Sequence, residues 1–442
     1  MSACYLLDLI FWTISKMKEA ILHFVWQLQK FNKVGLQSTQ DERVEVFSVG
    51  NHNTDAGPDF LNAKIRIGKI TWSGHVEIHI NSSDWNHHGH QNDPAYDNVI
   101  LHVVWKNDLA IKREDGKSIP TIELNGRVSL DMLGKCKSLI NSPHTIPCAN
   151  QIGSTNSMEI FSMQQQAAIE RLNNKSSLVF ELLEQNKMDW EETAYQLLAK
   201  NFGFKINSDS FLNLSKQLPF KILKKHSENT LQLEALLFGL AGMLQESPKD
   251  EYHSALMNEY AFLSKKYKLE GSELHGHLWK YLRLRPGNFP AVRISQLSAL
   301  LNRHPHIFDL FTGFDDAKQL GKMLRLAPSE YWQSHYNFCK PSIKKLNGIG
   351  KNSTENLLIN TAVPLLAAYS QYTDESKYMD KALSILESLS PEKNKITRMW
   401  EELEVSIGNS FESQALIELH NNYCLKKRCL SCKIGVGLIN QS

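Results

Sequence analysis

The sequence predicts an α+β protein in which an N-terminal α-β-β-β-α-β core is followed by a large all-α domain. Two observations carry this. Up to about residue 130 the apolar residues recur with a period near two, after one opening helix, whereas from Met158 to Leu419 they recur at helical spacing. Between the two regimes lies Asn141-Ser-Pro-His-Thr-Ile-Pro-Cys148, dense in helix and strand breakers.

The opening helix starts at a second methionine, Met17-Lys-Glu-Ala-Ile-Leu-His-Phe-Val-Trp-Gln-Leu28, and runs to about residue 30. Residues 1–16 read as a non-structural extension. Tyr5–Ile14 is too short to span a bilayer and carries Asp8, and it lacks the basic leader of a signal peptide. A first strand follows at Val44–Val49, then a polar loop from Gly50 through Asn51 to Pro58-Asp59. The second strand puts Leu61, Ala63, Ile65 and Ile67 on one face. The third alternates strictly, with Ile70, Trp72, Val76, Ile78 and Ile80 on one side and Thr71, Ser73, His75, Glu77 and His79 on the other. A turn-rich or helical segment, Ser83 to Asp93, leads into Val99-Ile-Leu-His-Val-Val-Trp105, apolar on both faces like a central strand. His102 within that run reads as a hydrogen-bonded core histidine.

The organisation expected is therefore an α/β domain over 17–140, a linker over 141–157, a helical domain over 158–410, and a helix with a cysteine knuckle over 411–442. The composition, 42% hydrophobic and 22% charged, is that of a soluble protein able to bury a sizeable core. A net charge of +2 neither demands nor excludes a nucleic-acid partner, because a basic face can hide in a balanced total. With no export signal, a cytoplasmic location is expected, and the seven cysteines read as reduced thiols or metal ligands.

The third strand carries the chemistry. A half-buried strand ordinarily offers water a mixed polar face, but this one lines up His75, Glu77 and His79, with Asp59 entering from the preceding loop. Neighbouring antiparallel strands bring such side chains within a few ångströms. Carboxylates suit hard divalent cations such as Mg²⁺ or Mn²⁺, and imidazole widens the choice. Nearby His87, His88, His90, Asp84 and Asp93 are candidates to flank the site. Asp84 reads equally well as a helix cap.

This arrangement resembles the PD-(D/E)XK nuclease superfamily. The resemblance implies a restriction-endonuclease-like core in which an Asp opening the second strand and a Glu-x-Lys on the third hold the metal and orient the attacking water. Pro58-Asp59 matches the first element and Glu77-Ile78-His79 the second, with His79 where the family carries Lys. The implied function is metal-dependent phosphodiester hydrolysis on DNA or RNA, with Asp59, Glu77 and His79 catalytic. The alternative is a catalytically inactive nucleic-acid-binding or scaffold protein that keeps the fold. Longer motifs, Gly57-Pro-Asp-Phe60, Trp72-x-Gly-x-Val-Glu-Ile-His79, Ser83-Asp-Trp-x-x-His-x-His90 and Arg285-Pro-Gly-Asn-Phe-Pro-x-x-Arg293, resemble a bacterial family known as domain of unknown function 2851. That resemblance runs from Met17 nearly to the C-terminus and implies no activity.

Two further features suggest ligands. Cys424-x4-Cys429-x2-Cys432 places three thiols within nine residues, as in short loops around Zn²⁺ or an iron–sulfur cluster. Candidates for a fourth ligand are Cys339, His335, His420 and, more remotely, Cys148. In the helical region Gly348-Ile-Gly350-Lys351 precedes a helix and could present amides to a phosphate. Arg283, Arg285 and Arg293 bracket a proline-broken turn and are candidates for backbone contacts, or for carboxylate pairing at a helix junction. Nucleic acid is thus the expected partner, and no membrane is.

Overall fold

The structure, a computed structural model, describes residues 17–244, 247–314 and 316–441. The proposed extension at 1–16 lies outside the described residues. Contacts divide the chain into two compact units, the first containing residues up to Met163 together with Leu419 onward, the second Gln164–Glu418. The C-terminal cysteine segment thus groups with the N-terminal part of the chain. The breaker-rich stretch after residue 141 is not a bare linker either, since Ile146, Cys148 and Ile152 are buried.

The first unit is built on a mixed sheet. Helix α1, Glu19–Gln27, buries Ile21, Leu22, Phe24, Val25 and Trp26. Strands β1 (Val44–Ser48), β2 (Asn51–His52), β3 (Phe60–Ile67) and β4 (Ile70–Asn81) follow, then the single-turn helix α2 (Asp84–His87), β5 (Val99–Lys106), β6 (Thr121–Glu123) and α3 (Leu130–Ile140). The sheet order is β1-β3-β4-β5-β6, with β2 also on β3. β1 and β4 run antiparallel to β3, whereas β5 lies parallel to β4 and β6 parallel to β5. Parallel pairing of β4 with β5 needs a crossover, and α2 with two short helical turns, His90–Asn92 and Pro94–Tyr96, supplies it.

β5 buries every residue from Val99 to Trp105 because β4 and β6 flank it on both sides. β2 and β6 are two and three residues long, too short for a periodicity argument to detect. Ile70 and Trp72 alternate in step with Val76 and Ile78 as expected, yet they are 57% and 46% exposed. The pairing of β4 with β5 begins only at His75, so the first half of β4 has β3 as its sole neighbour and projects as a hairpin.

The second unit is helical apart from a two-stranded ribbon, His335–Asn337 with Lys340–Pro341. Its interior includes the helix Thr230–Leu240, where Leu233 through Leu240 are all buried, and Pro290–Arg303, buried along most of its length. Among the described residues no helix is long and apolar enough to cross a membrane.

Candidate metal centre

Register places the two carboxylates together. Phe60 pairs with Val76 across β3 and β4, which brings Asp59 alongside Glu77. The Asp59 N–H donates to Glu77 Oε2 at 3.1 Å, and the Ile78 N–H donates to Asp59 Oδ2 at 2.9 Å. Each carboxylate is therefore held by the other's strand, with Glu77 5% exposed and Asp59 nearer the surface.

Four histidines gather around Glu77. Trp85, buried with Val99, Ile111 and Ile119, anchors α2 against the sheet. The chain then reverses at Gly89, whose φ of +79° suits glycine, and returns His88 and His90 to β4. Glu77 Oε1 lies 3.4 Å from His79 Nε2 and 3.2 Å from His90 Nε2. His79 Nε2 is 3.1 Å from His88 Nδ1, and one nitrogen from each of His79, His88 and His90 falls within a 4.8 Å group. Behind them, His79 Nδ1 lies 2.8 Å from His102 Nε2. With that proton on His79, its Nε2 lone pair faces the cluster, the orientation of a metal-ligating imidazole braced by an outer partner. Tyr96 stacks on His90 at 3.8 Å between ring centroids.

Helix α1 closes the site with residues that the strand-based reading missed. His23 Nε2 is 3.3 Å from Asp59 Oδ2, and Glu19 is close enough to Asp59, His23 and His88 to feel their charges. Glu19 and His23 are four residues apart, hence on one helical face. That spacing is visible in the sequence, but the apolar stripe of the same helix is its stronger signal.

Electrostatics separate the groups into two kinds. Burial, then the neighbouring His102, His90 and His88, pushes His79 down to about 2. Burial, then His90, pushes His102 down to about 3. Both rings are thus neutral at physiological pH, the form that ligates metal. Burial raises the Glu77 carboxyl against the opposing effect of His90. Burial also opposes charge on His23, but Asp59, with Glu19 and Glu77, overcomes it and raises its pKa. Neutral His79 and His102 therefore lie beside His23, whose protonated form Asp59 favours.

The donor set fits one divalent ion. Nitrogens bound at about 2.0–2.1 Å to a tetrahedral ion stand a little over 3 Å apart, as His79 Nε2 and His88 Nδ1 do here. Three imidazoles with one adjacent carboxylate favour zinc over magnesium, which prefers oxygen.

Several other anticipated residues are engaged by partners of their own, although Asp84 stays near enough for Glu19 and His102 to feel its charge. His75 accepts from the Asn62 N–H, and Asn51 is exposed in β2. Asp84 Oδ2 accepts from the Asn81 N–H while Oδ1 faces the exposed His87, and Asp93 caps Ala95. Arg293 is buried and donates to Gln296, Asn288 and Ser353 over the Phe204 ring, which withdraws it from any phosphate. Its partners are amides and a hydroxyl, not the carboxylates anticipated for a helix junction. Gly348 serves close packing, since a Cβ there would meet Leu326 O at 2.6 Å. Gly350 and Lys351 open the helix Lys351–Leu357, with Lys351 3.8 Å from Glu355. Arg283 and Arg285 are exposed. Cys424, Cys429 and Cys432 are buried in the first unit.

The model of one protein family, described as a protein of unknown function (DUF2851), matches residues 19–395. No curated protein and no solved structure matches the chain.

Proposed function

The chain belongs to the DUF2851 family of proteins of unknown function, and we propose that it is a metal-dependent phosphodiesterase acting on nucleic acid. The observation that carries this reading is the joining of Asp59 and Glu77 across β3 and β4 beside three imidazole nitrogens grouped within 4.8 Å. The strand order supports a restriction-endonuclease-like assignment: three antiparallel strands, a crossover through α2, and β5 parallel to β4.

His79, His88 and His90, with Glu77 beside them, would hold the ion. A bound divalent ion supplies an activated water and neutralises charge developing on a phosphate. His102 keeps His79 in the ligating tautomer. Asp59, the more exposed carboxylate, is positioned to take a proton from water, and His23 beside it orients that carboxylate. A second reading, binding without cutting, is favoured by one observation: His79 is neutral and supplies no constant positive charge where Lys would stand.

Cleavage assays with DNA and RNA substrates in Mn²⁺, Zn²⁺ and Mg²⁺ separate the two. Hydrolysis that Glu77→Ala abolishes, with folding and nucleic-acid binding retained, supports the enzyme. Equal cutting by Glu77→Ala refutes the assignment of this site, and binding without cutting under every metal favours the silent reading.

A further inference from the structure

Cys424, Cys429 and Cys432 acquire a fourth companion from a distant part of the sequence. Cys148, on the segment after α3, belongs to the same unit, and all four are free thiols no more than 8% exposed. Each lies within electrostatic reach of the other three. Cys148, pushed up to about 12 by burial, is raised further by Cys432 and Cys429. Cys424 is raised by burial and then by Cys148, Cys432 and Cys429, and Cys429 by burial and then by Cys432. Two of the other anticipated partners belong elsewhere. His335 and Cys339 belong to the second unit, where His335 stacks on Tyr331 and the Cys339 N–H donates to Asp250. His420 lies in the first unit, its Nδ1 engaged by Asn421 and its Nε2 buried without a partner among the described residues, so it can stand beside the four thiols but is not needed to complete them.

The surroundings are those of a built site. The helix entering from Ser410 ends in a π-helical turn, Leu419–Cys424, a distortion frequent at functional positions. Lys427 then turns the chain at φ +54°, and its Nζ donates to Ser142 and His144 carbonyls at 2.8 Å each, tying the cysteine loop to the segment that carries Cys148. The C-terminal helix Lys433–Asn440 begins so close to the loop that a Cβ on Gly435 would stand 2.2 Å from Cys429 O. Burial raises the Cys432 thiol, against the opposing hydrogen bonds of the Gly435 and Ile434 N–H groups in that helix's first turn. Lys427 adds a positive charge that Cys424 and Cys429 both feel.

Four thiols closed off from solvent suit either a single zinc or an iron–sulfur cluster. Zinc–sulfur bonds of about 2.3 Å hold tetrahedral sulfurs about 3.8 Å apart. Among the described residues, no three of these sulfurs come within 4.8 Å of one another. That spread suits a wider polynuclear core. We infer that Cys148, Cys424, Cys429 and Cys432 ligate one iron–sulfur cluster, with Cys148 the ligand that closes the set.

The full chain, purified anaerobically, is expected to contain iron and acid-labile sulfide and to show broad visible absorption. Cys148→Ser and Cys432→Ser should each lose most of that absorption, while Cys339→Ser keeps it. A single tightly bound zinc, absence of metal after reconstitution with ferrous iron and sulfide, or full absorption in Cys148→Ser would overturn the inference. Thiol alkylation read by mass spectrometry covers the case in which Cys148→Ser does not fold. In the native chain these four cysteines should resist modification until a chelator strips the iron. Modification of Cys148 at the rate of Cys339 before chelation refutes its place in the set.

Discussion

Replacing His102 by phenylalanine tests the candidate metal centre through a residue that cannot touch the ion. His102 is fully buried, and its Nε2 lies 2.8 Å from His79 Nδ1. Phenylalanine keeps the ring and removes the acceptor, so the His79 Nδ1–H loses its partner in a site 1% exposed. An unsatisfied buried donor costs about 1–3 kcal/mol. Among the described residues, however, His102 Nδ1 itself lacks a hydrogen-bond partner, and the substitution removes that liability. The two effects nearly offset, so the fold should lose no more than about 2 kcal/mol. Metal affinity should fall much more visibly. Loss of an outer-layer partner that fixes a ligating tautomer costs about 10–100-fold, equivalent to about 1.4–2.8 kcal/mol. Competition titration of Zn²⁺ or Mn²⁺ against a chelating dye measures it, with urea unfolding run in parallel. A folded His102→Phe protein with unchanged metal affinity would refute the proposed orientation of His79.

Two further substitutions separate structural from functional cations. Arg293→Ala removes a buried guanidinium bonded to Gln296, Asn288 and Ser353 over Phe204, and should destabilise the protein by about 2–4 kcal/mol in urea unfolding. It should leave the salt dependence of nucleic-acid binding untouched, whereas Arg285→Ala, if that exposed residue meets a phosphate, lowers the salt slope by about one without changing stability; equal stability of Arg293→Ala contradicts the packing argument. Lys175, whose Nζ donates to Asn360 at 2.7 Å, is pushed down to about 7 by burial and then by Arg171. Between that pH and its unfolded value the unfolded chain binds the extra proton, so stability rises with pH across this window, by about 1–2 kcal/mol once partial exposure is discounted. Lys175→Met should abolish that rise in unfolding curves recorded near pH 7 and pH 10, and an unaltered pH profile counts against it.

The parts of the site that lie on one strand were legible, because alternation alone sets Glu77 and His79 on the same side of β4 and the preceding loop delivers Asp59. The parts that depend on what faces the strand were not. Glu19 and His23 share a helical face, but nothing in the sequence says that this face turns toward the carboxylates. His102 was recognised as a buried, bonded histidine, although its partner, His79, emerged only from the register of β4 with β5. Arg293 looked like a phosphate ligand because charge is visible in a sequence and burial is not. Cys148 stands apart because the whole helical unit separates it in sequence from Cys424, Cys429 and Cys432, with which it shares the first unit. The exposed Ile70 and Trp72 show the converse: strand periodicity was right while the partner strand that would have buried them began only at His75.

The division of the first unit between both ends of the described chain has a consequence for biosynthesis. The turn Cys429–Ser431 packs on α1, the helix that presents Glu19 and His23, and on α3. A ribosome releases the sheet and its carboxylates early, but the residues that brace α1 from behind emerge only after the entire helical unit has been translated. Until then α1 has its packing against β4 but lacks the support of that turn.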